Sequence, residues 1–543
     1  MEGEQKLYLF LGFALFVSVI YWSSPYHTHG DLTHSKLIQL PNFIFILTDD
    51  QDLVLGGMIP MTNVERLIGN HGVTLANAYV ASPLCCPSRS SILTGQYVHN
   101  HGTVNNSVNG QCSGVRWQEG PEKKTFAVHM HHNGYRTFFA GKYLNQYGMA
   151  DVGGLKHIPP GWDWWLGLKG NSRYYNYTLS VNGTREEHGS DPSQDYLTNI
   201  IKRRALEFLS QSSIPQPFFM MLSVPAAHAP FTPEPKYLNN FTSLKAPRTE
   251  SFNIKAGKGK HWLLRQGIQP LPSDVINKVD DVFRNRLRTL LTVDEMVQDV
   301  IQYLELKNQL ENTYVVFTSD NGYHLGQFSL PIDKREPYET DIRVPFLIRG
   351  PNVPAGKIIN FPTSNIDLAP TFLDLAGLQI PKYMDGISLK PMITVESTNT
   401  VAVNKSIPAV INKREYSVGK YNFSSLKKYR ELRRTILVEH AGEGYAPSGM
   451  SGCNPDFAFK CEDSWNNTYS CLRQISDGEN RLYCKWDDDE AFEEMYDLDK
   501  DPWQLNNTVK YLTKNVHKKL RNLLRNMQRC RGSRCIDLAS FVV

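Results

Sequence analysis

Four short apolar runs, each closing on polar residues capable of chemistry, constrain this chain most. They are Phe43–Leu47 before Thr48, Asp49 and Asp50; Phe138–Ala140 before Gly141 and Lys142; Phe218–Val224 before His228; and Tyr314–Phe317 before Asp320 and Asn321. Runs that are apolar throughout, rather than alternating, fit strands buried on both faces of a parallel sheet with helices packed over each face. In such sheets ligands bind beyond the carboxyl ends of the strands. The four polar clusters are therefore expected to meet at one sheet edge.

A chain of 543 residues is too long for one simple core, so a large domain with a smaller one is expected. Pro, Gly and Asn become frequent around Pro351–Gly356 and again near Pro381–Gly386, after a helix-like segment at Asp367–Ala376. This places a boundary near residue 390 and divides the chain into 1–36, 37–390 and 391–543. The fold class expected is α/β: a large mixed, mostly parallel sheet between helices, with a smaller C-terminal α+β domain.

A formal charge of +4 and a pI near 8.4 would help attract a polyanion, but are too weak to indicate nucleic acid. The segment Lys405–Arg434 is rich in Lys, Arg and Tyr, and reads as a solvated loop or as a contact for a sulfated polysaccharide. There is no internal repeat. Leu7–Trp22 is mostly apolar and follows a short polar start, as in a signal peptide or a short signal anchor, so a membrane is involved only if the segment is retained.

Eight Asn-x-Ser/Thr sequons, at Asn105, Asn176, Asn182, Asn240, Asn404, Asn422, Asn466 and Asn506, agree with a secretory route. So do six of the nine cysteines, at Cys453, Cys461, Cys471, Cys484, Cys530 and Cys535, which suggest a C-terminal region stapled by disulfides. Zinc binding would also use cysteine, but no paired CxxC spacing is present.

The densest motif is Leu84–Gly95, which reads LCCPSRSSILTG. Pro87 fits the first position of a helix and Gly95 the position just past its end. Cys85 then lies at a helix N-terminus, where free N–H groups and the dipole favour an anion, with Arg89 one turn on. Asp49 and Asp50 at one strand end and Asp320-Asn321-Gly322 at another offer oxygen ligands suited to Ca²⁺ or Mg²⁺. Adjacent acids at a strand end can also be simple helix caps.

Together these blocks resemble the type I sulfatases of the alkaline phosphatase-like superfamily over residues 40–510. The resemblance rests on the acids after Thr48, on CCPSRSSILTG, and on FFAGKYLNQYG, NSRYYNYTLSVNG, TSDNGYHLGQFSLPIDKR and NIDLAPTFLDLAG. It is strongest to members that act on the 6-sulfate of N-acetylglucosamine. It implies the alkaline phosphatase-like sulfatase fold and hydrolysis of that ester in glycosaminoglycans such as heparan or keratan sulfate.

Residue by residue, the resemblance implies that a formylglycine-generating enzyme converts Cys85 to formylglycine during maturation. Asp49, Asp50, Asp320 and Asn321 would hold Ca²⁺, or Mg²⁺, together with an oxygen of the modified Cys85. Arg89 would hold the formylglycine, Lys142 and Lys334 would bind the sulfate, and His228 would donate a proton to the leaving alcohol. One hydroxyl of the hydrated aldehyde would attack sulfur and the other would later expel sulfate, a step serine cannot perform.

The chain departs from the family at Leu144, where many sulfatases carry a histidine two residues after the lysine matched by Lys142. His324 is a candidate for that task, or for reading the sugar. The implied location is the lysosome, reached through the secretory pathway, with the Golgi or the extracellular space as other destinations. An extracellular heparan 6-O-endosulfatase is the second reading. An inactive binding protein or a phosphatase relative is disfavoured, because the cysteine, the acids and Arg89 are all present.

Overall fold

The structure, a computed structural model, describes residues 39–211, 216–395, 434–443, 464 and 466–543. The run Leu7–Trp22, nearly all of Lys405–Arg434, the sequons Asn404 and Asn422, and Cys453 and Cys461 lie outside the described residues. The chain divides into Met1–Gln39 and Leu40–Val543, and every described strand and helix belongs to the second unit.

Its strands are β1 (Asn42–Thr48), β2 (Val73–Leu75), β3 (Ala78–Tyr79), β4 (Arg136–Lys142), β5 (Trp164–Leu168), β6 (Tyr177–Val181), β7 (Thr184–His188) and β8 (Phe218–Ser223). They continue with β9 (Thr313–Ser319), β10 (Phe346–Arg349), β11 (Lys357–Ile359), β12 (Thr363–Ser364), β13 (Arg434–His440), β14 (Tyr469–Ser476), β15 (Glu479–Trp486) and β16 (Glu493–Asp497). Ten form one sheet in the order β11-β2-β10-β9-β1-β8-β4-β5-β6-β7. The central strands β9, β1, β8, β4 and β5 are parallel, and the pairings outside them are antiparallel except for that of β2 with β11.

The helices that carry or support the site are α1 (Cys85–Thr94), α2 (Leu197–Ser210), α3 (Ser273–Leu306), α4 (Leu368–Leu375) and α5 (Lys514–Met527). β1 shows why its sequence is apolar throughout. Phe43, Phe45 and Leu47 enter one core with Phe372 of α4, while Ile44 and Ile46 enter another with Val293, Val297 and Ile301 of α3. Alternate side chains point to opposite faces, and here both faces are covered. The fold class read from the sequence is the one observed.

The second sheet, β13-β14-β15-β16, is antiparallel. Cys471 and Cys484 face each other in it and are disulfide-bonded, and Cys530 is bonded to Cys535. Ile436, Val438, Cys471 and Trp486 belong to the same apolar cluster as Phe43 and Phe372. Arg434 clasps Asp367, just before α4, with its two terminal nitrogens. Among the described residues no helix is long and apolar enough to cross a membrane.

Candidate active site

α1 is unusual in burying all ten of its residues although most are polar. Two of its three serines are held by partners: Ser88 donates to the Asp320 carbonyl and Ser91 meets His101 Nε2 at 3.0 Å. The expected start at Pro87 needs correction. Leu84 is extended and its carbonyl already accepts from Ser88 N at 2.9 Å, so the helix starts at Cys85. Pro87 is tolerated two residues in because no N–H of the first turn has an intrahelical acceptor. Gly95 closes the helix at φ +68°, packed against Met384 and Pro370.

Of the two adjacent cysteines, Cys86 is disulfide-bonded to Cys112 and Cys85 is free. The Cys85 Sγ lies 3.8 Å from Asp49 Oδ1 and 4.0 Å from Asp50 Oδ1. Burial pushes its thiol up to about 12, against the pull of Lys142 and Lys334. An unmodified Cys85 is thus a poor thiolate nucleophile at neutral pH.

The structure brings Asp49, Asp50, Cys85, Arg89, Lys142, His228, Asp320, Asn321 and Lys334 together beyond the carboxyl ends of β1, β4, β8 and β9. Lys142 ends β4 and donates to Asp49 Oδ2 at 2.7 Å. Gly141 before it has φ +111°, and a Cβ there would sit 1.9 Å from the Ser223 carbonyl. Lys334 donates to Asp50 Oδ2 at 2.6 Å. The residues flanking it, Asp333 and Arg335, have φ of 128° and 92°, an uncommon backbone for side-chain-bearing residues that recurs at functional sites.

Arg89 Nε donates to Asp320 Oδ2 at 2.7 Å, and its Nη1 to the Lys142 carbonyl at 2.9 Å and Ser223 Oγ at 2.8 Å. Its Nη2 lies 3.4 Å from Asp49 Oδ1. Asp320 Oδ1 accepts from the backbone N–H of Asp50 at 3.0 Å, tying the ends of β1 and β9 together. Asn321 Nδ2 donates to Asp50 Oδ1 at 2.7 Å. His228 follows β8; its Nδ1 donates to the Ala229 carbonyl at 2.7 Å and its Nε2 is 3.8 Å from Asp50 Oδ2.

Three buried carboxylates thus face three buried cations. At Asp49, burial alone would raise the pKa, but Lys142, His228, Arg89 and Lys334 outweigh it and hold the carboxyl well below its usual range. Asp50 is lowered in the same way, chiefly by Lys334. At Asp320 burial wins over Arg89 and raises the pKa to about 6. Burial lowers His228 to about 4 although both aspartates oppose it.

The donor set fits a hard divalent cation. Atoms of Asp49, Asp50, Cys85 and His228 lie within 4.8 Å of one another, and Asn321 Oδ1 is buried without a hydrogen-bond partner. An unpaired buried carbonyl oxygen beside carboxylates is costly unless a ligand completes it.

His324 is placed differently. It is buried with Nδ1 3.0 Å from Asp341 Oδ2, and its backbone N–H donates to the carbonyl of Asp333, next to Lys334, at 2.7 Å. Three neighbours were not singled out by the sequence. Ser172 hydrogen-bonds Asp49 Oδ2, Arg286 of α3 donates to the Asp50 carbonyl at 2.7 Å and to Asp52 at 2.8 Å, and Asn106 accepts from Cys86 N at 2.9 Å. Ser172 is the second residue of a recognised block, NSRYYNY, but nothing in the block marks which side chain turns inward.

Comparison with known proteins agrees with this geometry. The family model described as Sulfatase matches residues 41–378. The chain is 46% identical over 506 residues to N-acetylglucosamine-6-sulfatase of Homo sapiens, covering 91% of this chain and 86% of that protein. It is 42% identical over 358 residues to the extracellular sulfatase SULF-1 homolog of Drosophila melanogaster, covering 65% of this chain and 31% of that one. Among solved structures, a protein in complex with its substrate D-glucosamine-2-N,6-O-disulfate superposes with a TM-score of 0.68. That match covers 92% of this chain and 99% of the other at 23% identity, and it speaks to the fold.

Proposed function

Because the chain belongs to the sulfatase family and is a sulfuric ester hydrolase, we propose that it removes the 6-sulfate of N-acetylglucosamine at the non-reducing end of heparan or keratan sulfate chains. The observation that carries this reading is the 46% identity to N-acetylglucosamine-6-sulfatase across 91% of the chain. The site supports it with a free cysteine at a helix N-terminus, surrounded by acids and lysines.

Converted to formylglycine by a formylglycine-generating enzyme, Cys85 would supply a hydrated aldehyde, one hydroxyl to attack sulfur and a second to expel sulfate. Ca²⁺ held by Asp49, Asp50, Asp320 and Asn321 would polarise a sulfate oxygen and favour ionisation of the attacking hydroxyl. The remaining chemistry belongs to the chain. Lys142 and Lys334, anchored on Asp49 and Asp50 at 2.7 and 2.6 Å, present fixed positive charge to the sulfate oxygens as charge moves onto the leaving group.

Arg89 is locked by Asp320, the Lys142 carbonyl and Ser223, so it holds the residue-85 side chain and its charge without reorganising. His228 commits Nδ1 to the Ala229 carbonyl. Nε2 is therefore the nitrogen left to face the departing sugar oxygen, and because burial lowers His228 to about 4 it donates there only from the doubly protonated ring, which the neighbouring Asp49 and Asp50 favour. Ser172 orients Asp49. His324, fixed by Asp341, reads the sugar or assists the second step in place of the histidine that Leu144 replaces.

The apolar run Leu7–Trp22 and the sequons, of which Asn176, Asn182, Asn240 and Asn506 are exposed, support passage through the secretory pathway to the lysosome. The test is sulfate release from a heparan-derived oligosaccharide carrying 6-sulfated glucosamine both at its non-reducing end and internally, with Cys85→Ala as control. Loss of only the terminal sulfate is the expected result. Loss of internal sulfates would make the protein an endosulfatase instead.

A further inference from the structure

The chain concentrates positive charge on one helix and the residues just before and after it. Between Lys510 and Arg534 there are nine Lys and Arg and no Asp or Glu, which take the formal charge from −5 to the +4 of the whole chain. Within this segment α5 buries Leu520, Leu523, Leu524 and Met527 among Leu437, Leu472, Tyr483 and Met495 of the C-terminal sheet. The Cys530–Cys535 disulfide follows it. Its outer face is therefore displayed on a fixed support.

On that face Lys514, Lys518, Arg521 and Arg525 recur every three or four residues and line one shallow groove with His517 and Asn522. The row spans roughly 16 Å of helix. Glu493 partners His517 and Arg521. Lys514, Lys518, Lys519 and Arg525 are exposed, and none makes an ion pair among the described residues.

Helix physics opposes such a row. A lysine in the first turn faces the positive end of the dipole, and like charges four residues apart repel, as at Lys514 with Lys518 and Arg521 with Arg525. No acid occupies the first turn to relieve them. A local rule broken on a rigid exposed surface, with no compensating acid beyond Glu493 among the described residues, calls for a counter-charge from outside.

A second pocket adjoins this helix. Beside the C-terminal end of α5 lies a pocket of about 340 Å³, walled by Leu524 and Gln528 and by Glu439, His440 and Lys485. Glu443, three residues past the end of β13, accepts from Arg335 at 3.0 Å, and Arg335 adjoins Lys334.

We propose that the cationic face of α5 is an exosite that holds the sulfated polysaccharide chain whose terminal sugar is being hydrolysed. This rests on the function proposed above, since that reading supplies a polyanionic chain continuing away from the site. A surface of aligned cations raises the local concentration of such a chain and speeds its capture, more so at low salt.

The experiment compares the full-length protein with a Lys514→Glu/Lys518→Glu/Arg525→Glu variant. Two substrates are used: N-acetylglucosamine 6-sulfate, and a heparan-derived octasaccharide ending in the same sugar. The wild type should show a KM about tenfold lower for the octasaccharide, an advantage that shrinks with salt. The variant should lose that advantage and hydrolyse the monosaccharide unchanged, which also shows that it folds. A length advantage kept by the variant, or absent from the wild type, overturns the exosite.

If neither protein releases sulfate, the proposed function fails, and direct octasaccharide binding still reads the exosite: equal binding by both proteins overturns it. Tighter binding of duplex DNA of equal charge than of the octasaccharide would overturn the choice of occupant.

Discussion

Lys142 Nζ donates to Asp49 Oδ2 across 2.7 Å with both side chains wholly buried. Removing one partner of such a pair leaves an uncompensated charge, a loss of about 3–5 kcal/mol, whereas removing both is far milder. Lys142→Met should therefore lower the melting temperature and cut sulfate release by on the order of 10²–10³-fold. Adding Asp49→Asn should restore much of the stability and none of the activity. Thermal melts and initial rates on the four proteins of this double-mutant cycle check both halves.

Removal of the cation should act on stability as well as rate. Chelation should abolish sulfate release, Ca²⁺ should restore it, and the chelated protein should melt earlier, since a ligand at about 100 times its Kd stabilises by about 2.7 kcal/mol. Asn321→Leu, which deletes the unpaired Oδ1, should weaken Ca²⁺ binding measured by calorimetry. Unchanged binding in that variant would remove Asn321 from the ligand set.

Stability should fall with acid through two buried histidines. Burial, with His99 nearby, lowers His101 to about 3, and burial with Arg335 lowers His440 to about 3. Each stays neutral in the fold while the unfolded chain takes up a proton below about pH 6.5. Stability is thus present above that value and is lost as pH falls toward 3, by about 2 kcal/mol per histidine at pH 5. His99 acts with the opposite sign: burial lowers its pKa, but the Glu439 hydrogen bond outweighs it and the net shift is upward. Its contribution is present in acid and lost as pH rises through the raised value. Melts of wild type and His440→Phe between pH 7 and pH 4 should show a flatter acid slope for the variant.

The parallel strands were legible because burial on both faces leaves no room for polar alternation in runs such as Phe43–Leu47, and the acids at their ends follow from the sheet. What escaped was long-range. The partner of Cys86 cannot be read from cysteine spacing, the turn of Ser172 toward Asp49 depends on a loop path, and the seat of His324 on Asp341 depends on a fold-back of 17 residues. The start of α1 slipped by two residues because proline fits any position of a first turn.

The central claim is that the reacting group is made from Cys85. The direct measurement takes preparations differing only in the fraction of Cys85 converted to aldehyde, quantified by peptide mass spectrometry, and records sulfate release from N-acetylglucosamine 6-sulfate. The rate should be proportional to that fraction, passing through zero for unconverted cysteine and for Cys85→Ala. A rate that does not change with the aldehyde fraction would contradict the claim.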